Sequence, residues 1–228
     1  MVSAAAKRPR GPDLTHYPVE DDMGEALLQR LIADLLRHLI ARWLESRGVV
    51  ALTGASQFIY WVQYEPTKCV APDVYVLPGV APGTEVTAWK VWETGLAPSI
   101  AVEVVSRNVA KDYEQAPRRY EELGVPELVI FDPEYEDAPD RWRWQVFRRD
   151  AKGRWIVRRT NADRVRSQVL GCWLRAVGTG QDIRIRLGTR PGGDVLVPTE
   201  AEAERARREE AEAEIARLRA QLARSRRR

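Results

Sequence analysis

Two cysteines and two histidines in 228 residues leave little for soft-metal chemistry. Cys69 and Cys172 stand alone, with no partners to complete the four N and S ligands of a structural zinc. Nor is there an export signal to favour oxidation. Basic residues open the chain (MVSAAAKRPRGPD), but no apolar stretch follows them. Both thiols are therefore expected to be reduced, small and buried, although the sequence leaves one disulfide between them open. No window approaches the roughly 20 apolar residues that cross a bilayer. A cytoplasmic protein with no membrane partner is the expectation. Neither sign of charge dominates. The 36 Lys and Arg against 33 Asp and Glu leave a net charge of +3, too little by itself to imply a polyanionic partner.

What the sequence does have is enough apolar residue, 44%, for a sizeable core. The length suits one domain of about 150–200 residues plus a tail. Residues 1–18 read as a flexible arm, 19–190 as the domain, and 199–228 as a charged helix. A first helix is expected over 22–47. Asp22 and Glu25 have capping-box spacing, Leu28, Leu31, Ile32, Leu35, Leu39 and Trp43 form one apolar face, and Gly48 stops it. Strands are expected at 49–52, 58–62, 70–77, 99–106 and 127–131. A helix is expected at 112–123, closed by Gly124. Residues 78–98 read as a long connection with room for a short helix. The runs 142–148 and 154–159 alternate apolar and charged residues and read as a solvent-facing hairpin, and 183–187 as a last strand. Thr199 and Glu202 form a second capping box. Beyond it, Ile215, Leu218 and Leu222 make a short seam, the pattern of a brief coiled coil and of a homodimer. Helix, strands, helix, strand and hairpin in this order describe a mixed β-sheet flanked by helices, an α/β (α+β) arrangement.

One strand contains an anomaly. In Ser99–Ser106 (SIAVEVVS), the apolar neighbours of Glu103 suggest burial on both faces. A carboxylate there must be protonated, paired or bound to a metal. Asp73 poses the same question in CVAPDVYVL. If the two strands are neighbours, both carboxylates can point at one spot. Hard oxygen ligands on rigid strands suit Mg²⁺ or Mn²⁺. The alternative is that Asp73 caps a turn after Pro72 and Glu103 pairs with an Arg or Lys.

The ordered set Pro72-Asp73-Val74, Val102-Glu103-Val104-Val105-Ser106, Asp112, Tyr120, Gly124-Val125-Pro126-Glu127 and Phe131-Asp132-Pro133 resembles the Uma-type restriction-endonuclease-like family. That family is a branch of the PD-(D/E)XK nuclease superfamily. The resemblance covers about residues 18–190. It implies a four- or five-stranded mixed sheet flanked by helices, Asp73 and Glu103 as metal-binding acids, and endonuclease activity on nucleic acid, DNA before RNA. By the same likeness, Glu25 on the first helix is a third candidate acid; helix capping explains it as well.

The chain departs from the pattern at the catalytic lysine. The superfamily places it two residues after the second acid, where this chain has Val105. The Uma-type family places it midway between the Asp and Tyr anchors, where this chain has Ala116. Lys111, Gln115 and Arg119 are the candidate substitutes. Arg there can stabilise phosphate charge but is a poor base. The alternative function is a catalytically degenerate relative, acting as a nucleic-acid-binding or oligomeric module. Lys90, Arg107, Arg118, an Arg-rich hairpin and several Trp residues are the candidate nucleic-acid contacts. His16 and His38 are assigned no role.

Overall fold

A computed structural model describes residues 15–16, 27–106 and 108–225. Helix α1 (Leu27–Ser46) buries Ile32, Leu36, Leu39 and Ile40 along one stripe, as the 3.6-residue spacing requires. Gly48, at φ +67, ends it. The expected start of this helix, with its Asp22–Glu25 cap, lies outside the described residues. Then come β1 (Ala51–Gly54), β2 (Phe58–Tyr60), β3 (Cys69–Val70), β4 (Val74–Pro78) and β5 (Ala88–Lys90). The single strand expected at 70–77 is two, because the chain bends at Pro72-Asp73 between β3 and β4. The connection over 78–98 holds β5 and a short helix, α2 (Val91–Thr94).

Next are β6 (Ile100–Val104), a π-helical turn over Lys111–Gln115, α3 (Ala116–Leu123) and β7 (Glu127–Phe131). Gly124 closes α3 at φ +88, a conformation that Cβ-bearing residues rarely adopt. The chain continues through β8 (Trp144–Arg149), β9 (Trp155–Thr160), β10 (Arg164–Arg166), β11 (Trp173–Val177), β12 (Arg184–Thr189), β13 (Val195–Leu196) and α4 (Glu200–Ser225).

The main sheet has six strands in the order β1-β4-β6-β7-β8-β9. Only β6 and β7 run parallel, and α3 supplies the crossover that a parallel pair needs. The hairpin expected at 142–159 is β8–β9, and it extends this sheet. Its first strand is buried: Trp144 and Gln145 are fully covered, and only β9 faces solvent. The alternation of Arg with apolar residues concealed this, because neighbouring strands and loops cover the apolar side of β8 while its arginines find partners. Arg148, for example, donates to Glu127 at 2.7 Å.

Each face of the sheet has its own apolar layer. On one side, Val76, Val102, Phe131 and Trp144 pack with α1 and with Leu174, Ile185 and Leu187 of a second, four-stranded antiparallel sheet, β10-β11-β12-β13. The expected strand at 183–187 is one member of that sheet. On the other side, Tyr75, Ala101, Leu128 and Ile130 pack with Tyr120 and Leu123 of α3 and with Ile59 of a small sheet, β3-β2-β5. Both cysteines are free thiols, and burial pushes the Cys172 thiol up to about 12. No described helix is long and apolar enough to cross a membrane.

Candidate functional site

Side chains alternate between the faces of a strand. On β6, Ile100, Val102 and Val104 point to the α1 layer, so Ala101 and Glu103 point to the α3 layer, and Val105 packs there too. β4 pairs antiparallel with β6 through Val74↔Val102 and Tyr75↔Ala101. The pairing ends at Val74↔Val102; one further step in the same register would set Asp73 opposite Glu103, on the same face. Directly opposed residues hold their Cβ atoms about 5 Å apart. Asp73 sits where regular pairing stops, and its Oδ2 accepts the Val104 N–H at 2.6 Å. The carboxylate thus takes over a bond that a backbone carbonyl would otherwise accept.

Glu103 is only partly covered, yet its surroundings on the α3 face are apolar. The fully buried Tyr120 donates its hydroxyl to Glu103 Oε1. Burial holds the Glu103 carboxyl well above the usual range, and the Asp73 charge raises it further. The Tyr120 bond works the other way, Asp112 raises it again, and Lys111 lowers it. Burial first, then the charge and hydrogen bond of Glu103, and then Asp73 and Asp112, push the Tyr120 phenol up.

The turn that follows brings charge to the same place. Buried Asp112 accepts the Ser106 N–H at 2.7 Å and the Ser106 hydroxyl at 2.9 Å. Burial raises its carboxyl, while the Ser106 bonds and the Lys111 charge lower it. Lys111 itself is exposed. Its ammonium opposes the shifts of both Glu103 and Asp112, which places it in the field of the acidic group. Gln115 is exposed on the next turn. Arg119 reaches from α3 to β3, where Nη1 donates to the Cys69 carbonyl at 3.1 Å. Of the three candidate substitutes for lysine, Lys111 is the one whose charge acts on Glu103.

The two positions where the resemblance looks for a lysine have other uses. Val105 is buried in the α3-side layer. Ala116 is half-buried one turn before Tyr120, on the face of α3 that meets the sheet. Glu25 and Arg107 lie outside the described residues. His38 is on the surface of α1, its Nδ1 donating to the Asp34 carbonyl at 2.7 Å, and His16 is exposed. Among the tryptophans proposed to stack on bases, Trp89 and Trp144 are buried, and their indoles donate to the Leu96 and Ala162 carbonyls. Lys90 pairs with Glu93 at 3.4 Å.

Sequence reasoning missed one residue beside this site. Gln29 on α1 is buried, and its Nε2 donates to the Val104 carbonyl at 2.8 Å. The peptide groups of Val104 are therefore held from two directions, by Asp73 and by Gln29. The signal was present: Gln29 is a polar residue three and seven positions before Ile32 and Leu36, inside the apolar stripe.

The donor set suits a small divalent cation. The Asp73 charge raises the Glu103 carboxyl, and both acids offer the hard oxygens that Mg²⁺ and Mn²⁺ take. Asp73 and Glu103 would hold the ion, with water completing its shell. Among the described residues, no group of three or more His, Cys, Asp and Glu is gathered to hold a metal.

The chain is similar in fold to a crystal structure described as a putative nuclease belonging to DUF820 from Anabaena variabilis ATCC 29413. The two share 12% sequence identity over 65% of this chain and 76% of that one, with a TM-score of 0.44. No curated protein matches the chain. Residues 22–177, which run through β11 and include Asp73, Glu103, Lys111 and Tyr120, match the family described as "Uma2: Putative restriction endonuclease". With more than half of its length matched, the chain belongs to the Uma2 family.

Proposed function

We propose that the protein is a Mg²⁺- or Mn²⁺-dependent phosphodiesterase that cleaves DNA, with Asp73 and Glu103 as its metal-holding carboxylates. The observation that supports this reading is that Asp73, next to the β4–β6 pairing, accepts the N–H of Val104 beside Glu103 and that its charge raises the Glu103 carboxyl. A bound divalent cation would supply Lewis-acid polarisation of a phosphate oxygen and a lower pKa for the attacking water. The protein's residues do the rest. Tyr120 orients Glu103 through its hydroxyl, and the Val104 N–H orients Asp73. Lys111 stabilises the negative charge that develops on the phosphate, the task of the lysine that this chain lacks at positions 105 and 116. Gln115 orients the water from the next turn. Arg119 is held by the Cys69 carbonyl and serves as a phosphate contact.

One observation favours a second reading. Val105 is packed into the core and Ala116 carries no amine, so a fold that binds nucleic acid without cutting it fits these residues too. A cleavage assay with Mg²⁺ and Mn²⁺ on duplex and single-stranded DNA separates the two. The expected result is cleavage that falls by about two orders of magnitude or more in Asp73→Asn and in Glu103→Gln. In Lys111→Ala it should fall about tenfold to a hundredfold. Cleavage that persists in the Asp73→Asn, Glu103→Gln double variant overturns the assignment. Mn²⁺ bound at this pair without any cleavage supports the binding-only reading.

A further inference from the structure

Helix α4 leaves the body of the protein after its first turn. Its start is fastened: Glu202 accepts the Thr199 N–H at 2.7 Å, Thr199 Oγ1 accepts the Glu202 N–H at 3.2 Å, and Arg186 pairs with Glu202 at 2.7 Å. Ala203 and Glu204 are half-buried. From Arg205 to Gln221 every residue is exposed. Two of these are large and apolar, Ile215 and Leu218, each 49% exposed. A lone charged helix needs neither of them.

We propose that α4 pairs with α4 of a second copy of this chain as a parallel, in-register, two-stranded coiled coil. Ile215 and Leu218, with Ala211 before them and Leu222 after them in sequence, recur at alternating spacings of four and three. With Ile215 at heptad position a, Arg208 and Leu222 also fall at a, and Ala211 and Leu218 at d. A β-branched residue at a with Leu at d favours two parallel strands, and a polar residue at one a position fixes register at some cost in stability.

Charge decides the orientation. In a parallel, in-register pair each g residue faces the e residue of the next heptad in the other helix. Arg207 then faces Glu212 of the second copy, and Glu214 faces Arg219. Both pairings join opposite charges, and symmetry makes each of them twice. The antiparallel arrangement that sets Ile215 opposite Leu218 is poorer. It keeps Glu212 with Arg219 and leaves Glu214 with Gln221. The pairs within one helix, Glu204 with Arg208 at 3.1 Å and Glu214 with Arg217 at 3.7 Å, support α4 before it associates. Two heptads are short, so the expected dissociation constant is on the order of 1–100 µM.

Sedimentation of the full chain over a concentration series tests the proposal, with helicity followed by circular dichroism. The full chain should dimerise. Glu214→Arg and Arg219→Glu should each weaken the dimer about tenfold, since two symmetry-related contacts turn from attraction to repulsion. The double swap should restore it. A chain that stays monomeric at about 100 µM overturns the proposal, as does a dimer indifferent to either reversal or surviving removal of residues 205–228. Failure of the double swap to restore association overturns the parallel register. None of these outcomes depends on DNA cleavage.

Discussion

Holding Glu103 where the fold places it costs stability at neutral pH, and that cost is measurable without substrate. Its carboxyl is raised above the unfolded value by burial first and by Asp73 second. A raised acid favours folding while it is protonated. Its contribution is therefore fully present below the unfolded pKa and is lost as pH rises through the folded one. Glu103→Gln keeps the shape and removes the charge, so in metal-free protein it should raise the melting temperature by a few degrees at neutral pH. The gain should shrink toward zero as pH falls below the ordinary glutamate range. Thermal unfolding of both proteins across pH checks this, and a variant no more stable than the parent would show that Glu103 is already relieved. The same position was legible as an anomaly in the sequence, because an acid in SIAVEVVS breaks an apolar run. Its partner Tyr120 stood out only as a family anchor, since nothing local tells a helix which strand residue its hydroxyl will meet.

At the scale of elements, the π-helical turn at Lys111–Gln115 carries the most consequence. The Ala116 N–H bonds the Lys111 carbonyl five residues back, and α3 begins there with Pro117 in its first turn, where a missing N–H costs least. Such turns are frequent at functional sites. This one is clamped from β7. Tyr113 donates its hydroxyl to Asp132 Oδ2 at 2.7 Å, and Arg141 grips both Asp132 oxygens at 2.7 and 2.6 Å. Asp132 is fully buried, so Arg141→Ala strands an unpaired carboxylate and should cost on the order of 3–5 kcal/mol in urea unfolding. A loss below about 1 kcal/mol would mean that water replaces the guanidinium. The sequence marked Asp132-Pro133 as the end of a strand. That the acid reaches forward to Arg141 and across to Tyr113 follows from pairing β7 with β8, which no local pattern states.

The whole molecule is built from two apolar layers on the two faces of one sheet, with α4 outside both. Removing residues 205–228 should therefore leave the melting temperature within about two degrees, since the side chains from Arg205 to Gln221 are exposed. If α4 dimerises, the melting temperature of the full chain rises with protein concentration and that of the truncated chain does not. Calorimetry at several concentrations reads both. Periodicity and punctuation alone determined much of this protein: α1 with its Gly48 stop, α3 with Gly124, the buried strands β6 and β7, and the capped charged helix α4. In these segments burial, propensity and cap agree, and each is a local property of the chain. Only the tertiary structure decided which strands are neighbours. That choice brings Asp73 to the strand of Glu103, makes β8 an interior strand despite its arginines, and assembles β10–β13 into a second sheet over α1. It also points Gln29 at Val104 and aims the Lys111 charge at the acids. These are contacts between segments far apart in sequence, fixed by the pairing of whole strands, and a residue's own neighbours along the chain carry no record of them.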